Sequence, residues 1–184
     1  MARQLALLLW FASVLPLAHA SESSATGPSE LSQKDLGNPK AVETWLKENG
    51  AKAHKADKKN SQRAYEYGQL KKQRKEWGAA AKAFGESALF YPTPKALNEY
   101  ADNWLRMLGE IRQREKTYGE RWQADLSEAE ATYRTALAAD SVLKLMTDKE
   151  RQQTRKNAEC LADYIKSQVK QGDCLPLQLY GVKK

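Results

Sequence analysis

Cys160, Cys174, His54 and the carboxylates Glu86, Glu128, Glu130, Asp148 and Glu150 are the side chains whose type and spacing could support chemistry in this 184-residue chain. Nucleophilic catalysis by Cys160 would need a neighbouring base, and the sequence offers none beside it. His54 stands in a lysine-rich stretch and reads as a solvated histidine. Two cysteines without a nearby histidine cannot complete a tetrahedral zinc site. No His-x-x-x-His pair, glycine-rich phosphate loop or Gly-x-Ser-x-Gly elbow occurs. The pairs Glu128/Glu130 and Asp148/Glu150 fit the first turn of a helix, where negative charge complements the dipole. The reading therefore predicts no catalytic residue, no metal and no cofactor.

The N-terminus decides how the cysteines are read. Arg3 precedes an apolar run over 5–17, and Ala18-His19-Ala20 supplies a small-x-small cleavage pattern, so residues 1–20 are predicted to be a secretory signal peptide. The run is shorter than the roughly 20 apolar residues of a membrane span. A mature chain from Ser21 is expected to have no transmembrane helix and to reside in the periplasm or outside the cell. There an even pair of cysteines reads as a disulfide. Cys160 falls on a helix predicted to end near Lys170, and Gly172 permits a reversal. The ten helical residues span about 15 Å, and the four that return reach about 13 Å. A Cys160–Cys174 bridge is feasible but tight.

Composition sets the class. Removing 20 residues leaves 164, enough for one domain with a core. Glycine and proline are sparse, Ala, Lys, Glu, Gln and Leu abound, and no alternating β-branched run occurs, so the fold class is all-α. The whole chain carries a net charge of +7, and losing Arg3 makes it +6. Residues 52–75 hold Lys52, Lys55, Lys58, Lys59, Arg63, Lys71, Lys72, Arg74 and Lys75 against only Asp57 and Glu66. The surplus belongs to that one region. It suggests contact with an anionic envelope polymer, whereas export disfavours nucleic acid as a partner in the cell.

Five segments are predicted. After 1–20, residues 21–37 are small and polar at their start and read as a flexible N-terminal segment. Residues 38–60 hold a capping helix, opened by Asn38-Pro39 and stopped at Asn49-Gly50, and then a basic connector. Residues 61–172 form the helical domain, and 173–184 a tail lying across its surface. Within the domain, Ser61 is expected to cap a helix that buries Ala64, Tyr67, Gly68 and Leu70. Trp77 to Tyr91 should form its antiparallel partner, with Trp77 and Phe84 filling the groove. Pro92-Thr93-Pro94 starts a third helix through Leu97, Tyr100, Ala101, Trp104 and Leu108. Beyond Gly109, residues 110–121 read as an exposed helical extension or a separate charged helix. Capping-box patterns at Ser127 and Thr147 predict helices over 127–139 and 148–170. The last should bury Ala158, Leu161, Tyr164, Ile165 and Val169.

Gly68, Trp77, Ala80, Phe84, Ser87 and Pro92 together resemble the tetratricopeptide repeat, a helix-turn-helix unit of 34 residues. Leu97, Tyr100, Ala101 and Trp104 match the next first helix, and Leu126, Ala129, Tyr133 and Ala136 a second one. The chain departs from the pattern at Lys71, where an aromatic is usual, at Ser141, where proline is, and in the 49-residue step from Trp77 to Leu126. The resemblance implies a short α-solenoid of antiparallel hairpins with capping helices. It also implies a non-enzymatic module that holds a protein or peptide partner on the inner face of its first helices. On this chain that groove would comprise Tyr65, Gln69, Lys72, Asn98, Asp102 and Arg106. The family's carboxylate clamp places lysine and asparagine where Tyr65 and Gln69 stand, so a terminal carboxylate is not the implied ligand.

The segment Gly85-Glu86-Ser87 is similar to the Glu-Ser segment of lytic transglycosylases, whose glutamate is a general acid. That resemblance would imply peptidoglycan cleavage by Glu86. The Gly-Leu-Met-Gln and Ala-Tyr-Asn segments of those enzymes are missing here. In the repeat reading Glu86 faces solvent.

Overall fold

Polar caps and prolines divide the chain into helices much as their chemistry dictates. The computed structural model describes residues 31–50, 52–53, 55–115, 121–170 and 172–182. His54, Tyr118 and residues 1–20, the expected signal peptide, lie outside these. Among the described residues there is no strand. A 3-10 turn, Gln33–Gly37, precedes α1 (Pro39–Asn49), α2 (Lys55–Gln73), α3 (Trp77–Phe90), α4 (Pro94–Arg114), α5 (Trp122–Leu143), α6 (Asp148–Ser167) and the short α7 (Leu175–Leu179). Asn38 accepts from the Ala41 N–H and Thr93 from that of Ala96, each ahead of a proline in the first turn. Thr147 and Glu150 cap α6 reciprocally.

From α2 to α6 each helix packs on the next, while α1 packs on α5 and the 3-10 turn sits among α1, α3 and α5. Two hydrophobic cores result. The first gathers Leu36, Val42, Leu46, Phe84, Leu97 and a set of alanines from α3, α4 and α5. Phe84 is fully buried over Gly68, where a Cβ would lie 2.7 Å from its ring. Only glycine lets α2 approach that closely. The second core joins Leu105 and Leu108 of α4, Leu126 and Tyr133 of α5, and Leu161 of α6 to Cys174, Leu177 and Tyr180.

Several expectations are corrected. The segment 21–37 is not flexible to its end, because Leu36 of the 3-10 turn is buried in the first core. The helix expected from Ser61 begins at Lys55, so Ser61 lies mid-helix, its hydroxyl 3.1 Å from that of Ser87. Tyr67 and Leu70 point outward, 52% and 41% exposed, because the small residues Ser61 and Gly68 mark the face that meets α3. Trp77 is partly buried and carries the Arg106 guanidinium over its ring at 4.9 Å. Helix α5 starts at Trp122 rather than 127. Helix α6 stops at Ser167, with Gln168 left-handed, which leaves Val169 59% exposed.

The C-terminal segment is the largest correction. Cys174, Pro176, Leu177 and Tyr180 are buried in the second core, while Asp173, Leu175, Gln178 and Gly181 stay exposed. Cys160 and Cys174 are disulfide-bonded with Cα atoms 5.8 Å apart, a span eased by the earlier end of α6. The bridge holds α7 against α4 and α6. The Leu179–Tyr180 backbone rests on Gly109, where a Cβ would meet the Leu179 carbonyl oxygen at 2.6 Å. The Tyr180 hydroxyl donates to Asp125 at 2.9 Å, and Arg112 lies 4.3 Å from the centre of the Tyr180 ring.

Candidate functional site

The exposed sides of α2 and α4 are brought side by side because both helices pack on α3. Tyr65, Gln69 and Lys72 recur at spacings of four and three on α2, and Lys95, Glu99, Asp102 and Arg106 do so on α4. Glu99 is the hub between them. It accepts from Lys72 Nζ at 2.8 and 2.7 Å, from Gln69 Nε2 at 3.3 Å and from Asn103 Nδ2 at 3.2 Å. Gln69 also donates to the Tyr65 hydroxyl at 2.7 Å, and Lys95 Nζ lies 5.0 Å from the centre of the Tyr65 ring. Burial, reinforced by the Glu99 charge, pushes the Tyr65 hydroxyl up to about 12.

Further along α4 the polar face turns inward. Tyr133 of α5 donates to Asp102 Oδ1 at 2.5 Å. Burial raises the Asp102 carboxyl above its ordinary value, although the Tyr133 hydrogen bond favours the carboxylate. Asn98 donates to Thr154 of α6 at 2.8 Å, and its buried Oδ1 has no hydrogen-bond partner among the described residues. A cleft of about 250 Å³ opens here, between Lys95, Asn98, Glu99 and Asp102 on one side and Leu145, Met146 and Glu150 on the other. It offers carboxylates, an amide and an apolar wall, which suits a chain with a polar backbone and mixed side chains.

Of the six predicted groove residues, Tyr65, Gln69 and Lys72 join the Glu99 network, and Asn98 and Asp102 line the cleft. Arg106 lies on the same stripe of α4 but reaches back to Trp77. Sequence reasoning missed Glu99, which three- and four-residue spacing from Asp102 and Lys95 places on that stripe. Leu145 and Met146 carried no such signal, since they belong to the α5–α6 turn. There Asp140 holds the Met146 N–H at 2.7 Å and Arg151 at 2.8 Å.

The basic residues do not form one patch. Lys71 bonds Glu76 at 2.6 Å, Lys72 bonds Glu99, and Lys58 lies 5.1 Å from the centre of the Tyr91 ring. Lys75, left-handed at φ 58°, stands in the turn after α2, while Lys52 precedes that helix and Lys55 opens it. Lys59, Arg63 and Arg74 remain exposed. Glu86 is exposed and 3.9 Å from Lys82, in a separate depression beside Tyr100 and Trp104. Among the described residues no group of three His, Cys, Asp or Glu side chains is arranged to hold a metal ion. No protein-family model, curated protein or solved structure matches the chain.

Proposed function

We propose that the protein is a non-enzymatic interaction module, TPR-like in arrangement, that holds a protein or peptide on the α2–α4 face and in the adjoining cleft. The observation that carries this reading is the meeting of that face with the cleft at Glu99, Asn98 and Asp102. The arrangement of helices is in keeping with it. In a tetratricopeptide-like array α2, α4 and α6 would be first helices, and polar bonds link α2 to α4 and α4 to α6. Lysine and carboxylate side chains at the rim can select a partner while Leu145 and Met146 contribute apolar contact. The apolar leader and the disulfide favour the periplasm or the exterior as its location.

In-cell photo-crosslinking from position 69, followed by mass spectrometry, tests the groove. A partner captured from position 69 and not from position 82 is the expected result. Capture from position 82 alone would move the binding surface to α3. A second reading, contact with an anionic envelope component through α2 and the turn after it, is favoured by the outward placement of Lys59, Arg63 and Arg74.

A further inference from the structure

Residues 59, 63, 67 and 70 of α2 recur at spacings of four and three, so they share one stripe of the helix, and Arg74, in the turn just past its end, follows four residues on. The stripe lies opposite Ser61 and Gly68, which are buried against α3. It carries the cations Lys59, Arg63 and Arg74 and, between them, the exposed Tyr67 and Leu70. Among the described residues the ion pairs of α2 are made by Lys72, on the side that faces α4, and by Lys71, which flanks the stripe. Glu66, at its edge, accepts from Gln62 at 2.8 Å. Lys71 Nζ, paired with Glu76, lies 5.4 Å from the centre of the Tyr67 ring.

We propose that this stripe docks the protein on a bilayer surface that carries anionic phospholipid headgroups. Cations near such a surface are attracted to lipid phosphate, and the attraction is screened by salt. Tyr67 and Leu70 favour a bilayer over a polymer. A tyrosine suits the headgroup boundary, and a leucine beside it can enter the acyl region. A hydrated polyanion offers that leucine nothing apolar to enter. The attachment is peripheral, since no described helix is long and apolar enough to cross a membrane. The inference deepens the anionic-surface reading of α2 and is independent of the cleft on α4.

Co-sedimentation of the purified protein tests it, using phosphatidylcholine vesicles, vesicles of equimolar phosphatidylcholine and phosphatidylglycerol, and a parallel measurement on soluble polyphosphate. The protein should sediment with the anionic vesicles and not with the neutral ones. Arg63→Gln with Arg74→Gln should weaken vesicle binding about thirtyfold. Tyr67→Ser with Leu70→Ser should weaken it about tenfold and leave polyphosphate binding unchanged. All four positions are exposed, and retained helical circular dichroism would verify folding. Equal binding to both vesicle types overturns the proposal. So does unchanged vesicle binding by the Tyr67/Leu70 variant, which would assign the stripe to an anionic polymer. Dimerisation that is lost in that variant, with no vesicle binding, would assign it to a second copy of the chain.

Discussion

The two cores of this protein are closed by different means. Around Phe84, neighbouring helices interlock through size: a bulky ring on α3 meets Gly68 on α2, while alanines let α4 and α5 approach. Around Tyr180, closure depends on a short segment drawn from far along the chain and tethered by Cys160–Cys174. The first solution uses dispersion and exclusion of water between adjacent helices. The second adds a covalent link and a buried Tyr180–Asp125 hydrogen bond. Regions packed in these two ways should respond differently to the same perturbation.

The largest expected effect is at Phe84. Phe84→Ala removes a fully buried ring, and nothing small can fill the space, so unfolding stability should fall by about 3–5 kcal/mol in urea titration. A loss below about 1 kcal/mol would mean that α2 settles onto α3 and that the interlock is not the source of stability.

Breaking the second region should cost less and stay local. Cys160→Ala with Cys174→Ala should lower stability by about 3 kcal/mol, and Tyr180→Phe, which removes a hydrogen bond to the buried Asp125, by about 1–3 kcal/mol. Hydrogen exchange should rise first in α7 and in α4 around Gly109, while α2 and α3 keep their protection. Uniform loss of protection would show that the two cores open as one.

The smallest effect separates two carboxylates. Burial raises the folded-state pKa of Asp102, so the folded protein retains a proton that the unfolded chain has released. Its contribution is fully present below the unfolded pKa and is lost as pH rises through the folded one. Asp140 runs the other way. Burial alone would raise its pKa, but the Met146 N–H and Arg151 lower it, so its contribution is present above the unfolded pKa and lost as pH falls through the folded one. Asp102→Asn should therefore flatten the decline of stability with rising pH, and Asp140→Asn the decline toward acid. Unfolding midpoints measured across that range check both signs.

The α2–α3 contact of the first core was legible in the sequence because its partners are neighbours along the chain, whereas the seat of α1 on α5 joins distant segments. Gly68 and Phe84 mark a close helix contact by residue size alone. The outward turn of Tyr67 and Leu70 was misread, since α2 has little apolar periodicity and its inward face is marked by small residues instead. The cysteine pairing could be read from residue type and the expected export, yet the burial it enforces could not. Gly109 marked only the start of the exposed extension, because the backbone that rests on it lies in another part of the chain. At the candidate site, residues at helical spacing were within reach, whereas the turn residues Leu145 and Met146 depended on the path between α5 and α6.

The placement of Tyr180 also fixes an order of assembly. Arg112 and Tyr180, which touch, are 68 residues apart in the chain. When the chain emerges N-terminus first, α2 and α3 can join as soon as both are out. Leu105 and Leu108 on α4 must wait for the segment around Tyr180 before their covering is complete. During synthesis, the interval in which another chain could seize an uncovered apolar face therefore lasts longest for α4, and for α1 until α5 has emerged.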